Sequence, residues 1–408
     1  MDSLKLMDQS DPAWKPLHIA VIGGRGIPSN YSGVERICEE LFVWFAGRGH
    51  KITVYCRPGV LESKLGDYRG IRLVRTPAPG GKNGETLSHS MFSLLHAAFK
   101  GDNGTPFDVA SLHTIAPNLF APIAKFKKIP VITHVHGLDH QREKWKGMGA
   151  RVIRASEKMM VKTASKLIGV NPAICDYYRE AYGLDVAYLP NGVYRKVDRP
   201  ADAAILAEFG LEPGGYVSTV GRLVPEKRLH DTIKAYFDVP GDKKLVFVGD
   251  AQHTPDYLRQ LQELAEHDPK KRVVFTGLQT GAHLEALFRG AACYVSASEL
   301  EGNPMSVLEC MEYHVPAALS DISGHWPLYK RVQGYDLSFQ VGDVAAITER
   351  INRVLNNSTY AFDLAAKCRE HVRREFAWPG LAERTEALYL RIVNSQTKQP
   401  GLRSTAAA

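Results

Sequence analysis

The strongest constraint on how this chain folds is an alternation of short apolar runs with helical patterns, which begins near residue 17 and starts afresh near residue 216. Leu17-His-Ile-Ala-Val-Ile, Lys51-Ile-Thr-Val-Tyr, Ile71–Val74, Val109–Leu112, Pro130–His136, Lys166–Val170 and Val186–Leu189 read as strands. After the first of them, Val34, Ile37, Cys38, Leu41, Phe42 and Phe45 recur at helical spacing, and Gly47 and Gly49 end the pattern. Near-continuous apolar strands separated by helices are the mark of a parallel sheet covered on both faces. Arg199-Pro-Ala-Asp-Ala-Ala reads as a linker, after which Tyr216–Val220, Lys244–Val248, Arg272–Phe275, Cys293–Val295 and Pro316–Leu319 form a second set of strands. Helical patterns at Leu229–Phe237, Pro255–His267 and His283–Arg289 lie between these. The expectation is α/β: two Rossmann-like doubly wound units, rather than one large sheet, facing across a cleft at the carboxyl ends of their strands.

A length of 408 residues accommodates two cores. The expected divisions are an N-terminal tail over 1–16, a first unit over 17–197, a second over 198–376, a closing segment over 377–393 with a helix at Leu381–Val393, and a disordered tail over 394–408. The formal charge of +7 comes without a long basic tract, which argues against a nucleic-acid binder. The six cysteines are scattered, with no Cys-x-x-Cys pair, as expected of buried free thiols in a reducing cytoplasm. Residues 1–16 lack the apolar core of a secretory signal, and no apolar run approaches the about 20 residues that span a bilayer, so any membrane contact is expected to be peripheral.

Chemistry concentrates in the loops. Glu301 and Glu309 bracket Glu-Gly-Asn-Pro-Met-Ser-Val-Leu-Glu, between a strand and a helix that starts after Pro304. Carboxylates offer only acceptors, which suits sugar hydroxyls. The helix start between them offers free N–H groups, which suit phosphate. Together they suggest a nucleotide-sugar. Arg222 and Lys227, on the loop after Val220, supply a guanidinium fork and a mobile point charge suited to a diphosphate, whereas Glu226 and Arg228 read as solvated. Gly23-Gly-Arg-Gly-Ile-Pro-Ser-Asn-Tyr-Ser-Gly departs from dinucleotide-binding spacing, and two readings stand: turns that need positive φ, or backbone that approaches a ligand at the helix start near Gly33. His134 and His136 share one strand face, with Asp139 and His140 following. A metal site is disfavoured because no further ligand cluster is evident. His134 reads as a core histidine and His136 as a residue that bonds a substrate hydroxyl.

Gly221-Arg222 with Pro225-Glu226-Lys227, followed by Glu301 and Glu309 with seven residues between them, resembles glycosyltransferase family 4, the retaining group 1 enzymes of GT-B fold. The Gly-rich loop, Thr133-His-Val-His-Gly-Leu-Asp and Pro190-Asn-Gly-Val fit the same family, and the likeness runs from residue 17 to about 393. The resemblance implies that Arg222 and Lys227 hold the donor diphosphate and that Glu309 takes the ribose. It gives Glu301 the donor sugar's ring hydroxyls, the backbone of Asn303, Pro304, Met305 and Ser306 the phosphate and sugar, His136 the transferred sugar, and Gly33 the diphosphate. It also implies a last helix that crosses back to the first unit. Gly302-Asn-Pro-Met-Ser where Gly-Phe-Gly-x-Pro is common, Glu312-Tyr-His in place of small residues, and Arg228 where glycine is frequent are departures.

The implied reaction is transfer of a hexose-type sugar from a nucleoside diphosphate to a hydroxyl, with retention, no cofactor and no metal, in bacterial cell-surface or exopolysaccharide synthesis. No carboxylate nucleophile is identifiable, which favours a same-face displacement over a double displacement. The acceptor is a saccharide or polyprenyl-linked saccharide. Lys125, Lys127, Lys128, Arg142, Lys144, Lys146, Arg151, Arg154, Lys158 and Lys162, interleaved with Trp145, Met148, Val152 and Ile153, read either as a solvated basic face or as a surface for anionic lipid at the inner face of the plasma membrane. Rival classes are a sugar-nucleotide epimerase or hydrolase on the same fold, which needs no acceptor, and a non-catalytic nucleotide-sugar binding module.

Overall fold

Strands with both faces apolar must be covered on both sides, and this fixes the architecture. The computed structural model describes residues 14–28, 33–60, 66–138, 147–252 and 254–397. The chain divides into two compact units: the described residues up to Pro190 together with those from Trp378 onward, and Asn191–Ala377.

The first unit holds an eight-stranded sheet built from β1 (His18–Ile22), β2 (Lys51–Cys56), β3 (Asp67–Tyr68), β4 (Ile71–Arg75), β5 (Val109–His113), β6 (Val131–Val135), β7 (Lys166–Gly169) and β8 (Val186–Tyr188). Its order is β3-β4-β2-β1-β5-β6-β7-β8, and only the β3–β4 pair is antiparallel. Every residue of β1, β5 and β6 is buried, as strands with helices on both faces require. The helix Gly33–Gly47 buries Ile37, Cys38, Leu41, Phe42 and Phe45 on one face.

The helix Trp378–Thr397 belongs to this unit and is anchored by polar contacts as well as apolar ones. Glu386 is buried and accepts from Arg48 at 3.2 Å and meets His50 Nε2 at 2.8 Å. Burial alone would raise its pKa, but the hydrogen bonds from His50 and Arg48 outweigh that and hold it below the usual carboxylate range. Tyr389, fully buried, meets Phe45 edge-on at 5.6 Å.

The second unit holds a wholly parallel six-stranded sheet of β9 (Tyr216–Val220), β10 (Lys244–Val248), β11 (Val273–Gly277), β12 (Cys293–Ser296), β13 (Ala317–Ser320) and β14 (Ser338–Phe339). Its order is β11-β10-β9-β12-β13-β14. Glu312 is fully buried, yet its charge is met by Arg373 at 2.8 Å and by the Lys196 N–H at 2.7 Å. All six cysteines are free and buried.

Several expectations shift. Within the stretch read as a linker, residues 199–202 are irregular, and a helix, Ala203–Glu208, begins at its end, capped by Asp202, which accepts from the N–H groups of Ala204 and Ile205. The last helix runs past Val393 to Thr397, so residues 394–397 are helical; residues 398–408 and 1–13 lie outside the described residues. Arg272 is not in β11: its backbone N–H donates to Asp268 Oδ2 at 2.7 Å, and its guanidinium is held by Asp268 and by the Val239 and Tyr236 carbonyls. Among the described residues, no helix is long and apolar enough to cross a membrane.

Removing one member of a buried charge pair leaves the other uncompensated. Glu386→Ala is expected to destabilise the protein by about 3 kcal/mol, read as a lower urea midpoint with the m-value unchanged.

Candidate functional site

In each sheet the chain works outward in one direction from its first strand and then returns to the other side of it. The loops after the two strands that flank this reversal diverge and leave a place for a ligand. In the second unit the flanking strands are β9 and β12. Both of the residue groups expected to carry chemistry there follow these two strands.

Gly221, directly after β9, has φ +144, and a Cβ on it would lie 2.8 Å from Lys227 Cε. Gly249 after β10, at φ +149, would place a Cβ 2.0 Å from the Gly221 carbonyl oxygen. Only glycine allows these backbones to cross so closely. Lys227 ends a single 3₁₀ turn, Pro225–Lys227, and its Nζ donates to Glu301 Oε1 at 2.7 Å. Ser298 Oγ donates to the same oxygen at 3.0 Å. Burial would raise the Glu301 pKa, but the Lys227 charge and these hydrogen bonds overcome it and lower it to about 2.

His325 lies behind this pair, wholly buried, with Nδ1 2.8 Å from the Ser320 carbonyl oxygen and Nε2 3.3 Å from Ser296 Oγ. Burial lowers its pKa to about 4, so it is neutral at pH 7 and does not compete with Lys227 for the carboxylate. Arg222 is exposed on the Lys227 loop. Arg228, at φ 48, is tied to Asp231 at 2.6 Å and Glu299 at 3.3 Å, so it is an ion-paired residue rather than a solvated one.

The helix Met305–Glu312 begins beside Glu301, with Pro304 in the capping position and no side-chain cap. Asn303 and Glu309 are each 5% exposed. The Asn303 carbonyl accepts from Asn191 Nδ2 at 2.6 Å, while among the described residues neither end of its carboxamide has a hydrogen-bond partner. Tyr294 Oη donates to Ser306 Oγ at 3.0 Å, and Met305 and Ser306 are half-buried. The structure thus gathers Lys227, Glu301 and the Asn303–Ser306 turn on adjacent loops, with Glu309 one helical turn further on.

In the first unit the reversal lies between β1 and β5. Gly23, at φ +120, would put a Cβ 2.2 Å from the His113 carbonyl oxygen, and Gly26, at φ +138, would put one 2.8 Å from Cys56 Sγ. Both glycines are therefore required by strand-end crowding. Gly33 opens its helix at the surface, while residues 29–32 lie outside the described residues. His134 is buried with Nε2 2.8 Å from Tyr389 Oη, a core histidine. His136 follows β6, partly buried, with Nε2 3.2 Å from His113 Nδ1.

Sequence reasoning missed His113. It is the last residue of the buried strand β5, which pairs with β1 in the structure. Asp139 and His140 lie outside the described residues, and among those described no group of three or more His, Cys, Asp or Glu is placed to hold a metal ion. On the helix Met148–Thr163, Arg151, Arg154, Lys158 and Lys162 are exposed beside an exposed Met148, but Ile153 is buried at 2% and belongs to the core. Arg142, Lys144, Trp145 and Lys146 fall outside the described residues.

Two Rossmann-like α/β units of this kind are the GT-B fold. Among solved structures, sucrose-phosphate synthase from Thermosynechococcus elongatus matches at TM-score 0.77 and 20% identity over 93% of this chain and 100% of that one. Anabaena HepE, solved in complex with UDP and glucose, matches at TM-score 0.75 and 16% identity over 94% of this chain and 100% of that one. A family model for Glycosyltransferase Family 4 matches residues 31–196, and one for Glycosyl transferases group 1 matches residues 207–375. The chain belongs to this glycosyltransferase family. Among curated relatives, the Escherichia coli UDP-Gal:alpha-D-GlcNAc-diphosphoundecaprenol alpha-1,3-galactosyltransferase is 24% identical over 379 residues, 89% of this chain and 94% of its own length.

The Lys227–Glu301 pair carries a pH signature. With its pKa lowered from 4.5 to about 2, Glu301 contributes stability that is present above pH 4.5 and lost as pH falls through about 2. The stability gap between the native protein and Glu301→Gln is therefore expected to be constant from neutral pH down to the ordinary carboxylate range and to close below it. Urea unfolding across that range checks it.

Proposed function

We propose that this protein is a retaining glycosyltransferase that moves a hexose-type sugar from a nucleoside diphosphate to a hydroxyl of a saccharide or lipid-linked saccharide, in bacterial cell-surface or exopolysaccharide synthesis. The observation that carries the reading is the convergence of Lys227, Glu301 and the uncapped start of Met305–Glu312 at the chain reversal of the second sheet. A diphosphate needs positive charge and N–H donors, and a sugar needs fixed acceptors; both kinds of group stand here side by side.

In this reading Arg222 and Lys227 hold the diphosphate, with Asn303, Pro304, Met305 and Ser306 contributing the turn that meets phosphate and sugar. Glu309 accepts from the ribose and Glu301 from the sugar in transit, while His136 and Gly33 serve the transferred sugar and the diphosphate. Charge that develops on the leaving diphosphate is stabilised by Arg222, Lys227 and the helix start. Attack and departure on one face of the sugar, with the leaving phosphate taking the acceptor's proton, accounts for retention without a carboxylate nucleophile. The Escherichia coli relative, named for a diphosphoundecaprenol-linked acceptor, supports a lipid-linked saccharide and a peripheral association of the basic first unit with an anionic inner membrane face.

A thermal-shift panel of nucleoside diphosphates and their sugars tests the donor half. A matching ligand raises the melting temperature by mass action, and no shift from any of them overturns the reading. Lys227→Ala and Arg222→Ala are each expected to lower kcat/KM by about 100-fold or more, and anomeric NMR of the product reads retention directly. Since protein cations supply the charge, chelation with EDTA is expected to leave turnover within about twofold; a loss of about 100-fold restored by a divalent cation would refute the metal-free part.

A further inference from the structure

A hydrogen-bonded chain runs from the carboxyl edge of the first sheet into its core. His136 Nε2 lies 3.2 Å from His113 Nδ1, and His113 Nε2 lies 3.1 Å from Ser111 Oγ. Ser111 Oγ lies 2.6 Å from Tyr389 Oη, which lies 2.8 Å from His134 Nε2. The rings of His113 and His134 stack at 4.5 Å and 16°, and those of His113 and His136 at 5.4 Å and 18°. His113, Ser111 and Tyr389 are fully buried.

Burial, with the two neighbouring histidines, pushes the pKa of His113 well below its ordinary value, and burial and His136 lower that of His134 to about 3. Both rings are therefore neutral at pH 7, and a neutral imidazole carries a single N–H. Only two proton orders then satisfy the whole chain. In one, Tyr389 donates to His134, Ser111 to Tyr389 and His113 Nε2–H to Ser111, so that His113 Nδ1 accepts from His136 Nε2–H. In the other every bond is reversed, and His113 Nδ1–H donates to the Nε2 lone pair of His136. The first order puts the His136 proton on Nε2 and the second leaves Nε2 bare, so the order that the buried chain holds sets the His136 tautomer.

We propose that His113, backed by Ser111 and Tyr389, is a positioning residue that fixes the ring plane of His136 and the nitrogen that carries its proton. The inference rests on the reading of His136 as the residue beside the transferred sugar. It extends that reading by giving a task to β5 and to the helix Trp378–Thr397, which supplies Tyr389 from the far end of the chain. The orientation of a hydroxyl-binding imidazole decides whether it donates or accepts, so a ring free to exchange tautomers would spend part of its time in the wrong state.

Asparagine and glutamine separate positioning from mere packing. Asn at 113 sets a polar atom where Nδ1 stands and keeps the bond to His136; Gln sets one where Nε2 stands and loses it. His113→Asn is expected to keep turnover within about tenfold, while His113→Gln and His113→Ala lower kcat by about 100-fold with donor KM changed less than about threefold.

The second readout is ¹⁵N–¹H NMR of the histidines in the ligand-free full chain at pH 8, above the ordinary imidazole range of about 6.5. The native protein is expected to show His136 as one tautomer, and Tyr389→Phe and Ser111→Ala as a mixture. Ser111→Ala, the smallest change, keeps the test available if another variant does not fold. An unchanged His136 tautomer in both Tyr389→Phe and Ser111→Ala, or equal losses in His113→Asn and His113→Gln, would overturn the proposal. Absence of turnover by the native protein with any nucleotide-sugar would instead refute the donor reading, and it would leave the NMR result standing.

Discussion

Parallel pairing of β9 with β10 on one side and β12 on the other is the constraint on which the second unit's chemistry depends. Parallel strands all end at one edge, and a sheet that grows first one way and then the other must part its loops at the strand where it began. That parting sets the loop after β9, with Lys227, against the loop after β12, with Glu301, although the two residues stand far apart in sequence. The first sheet repeats the device with β1 and β5, and the Gly-rich loop and His113 occupy the equivalent positions.

Close backbone approach is what lets those loops meet. The Gly249 and Gly221 backbones cross where a single methyl group would collide with a carbonyl, and Gly23 does the same over His113. Gly324 completes the pattern, since a Cβ there would lie 2.4 Å from the Glu301 carbonyl oxygen. These glycines act as spacers that let the loops under the site approach one another. Of the two readings open for the Gly-rich loop, the crowding explains Gly23 and Gly26 without any ligand.

How much was legible follows the same physics. β9, β10 and the helix Leu229–Phe237 agree with their sequence readings at both ends, because each combines strong apolar patterning with a sharp glycine or charged boundary. β14, only two residues long, is too short to give a periodic signal, and the helices Val344–Asn356 and Ser358–Glu375 also had no reading, although Ile347, Ile351 and Val354 are buried at helical spacing and their pattern was there to be read. Lys227 and Glu301 could be singled out as residue types, but their meeting depends on strand order, which periodicity does not contain. His113 was invisible for a related reason: its partners His134 and Tyr389 become neighbours through lateral register, His113 opposite His134, and through a helix from the end of the chain.

At rest, Lys227 and Glu301 satisfy each other, and this shapes what can displace them. A simple anion would draw on Lys227 while lying against the Glu301 carboxylate, so its gain is offset by repulsion at close range. A neutral polyol could donate to Glu301 but offers nothing to replace its charge to Lys227. A molecule with a phosphate and a hydroxyl-rich ring a short distance apart gives each partner a new contact at once, and the half-buried setting makes both contacts stronger than they would be in water. On the proposed donor reading, the ion pair would favour a molecule that carries both groups over either of its halves, and the neutral His325 behind it leaves that balance to Lys227 and Glu301.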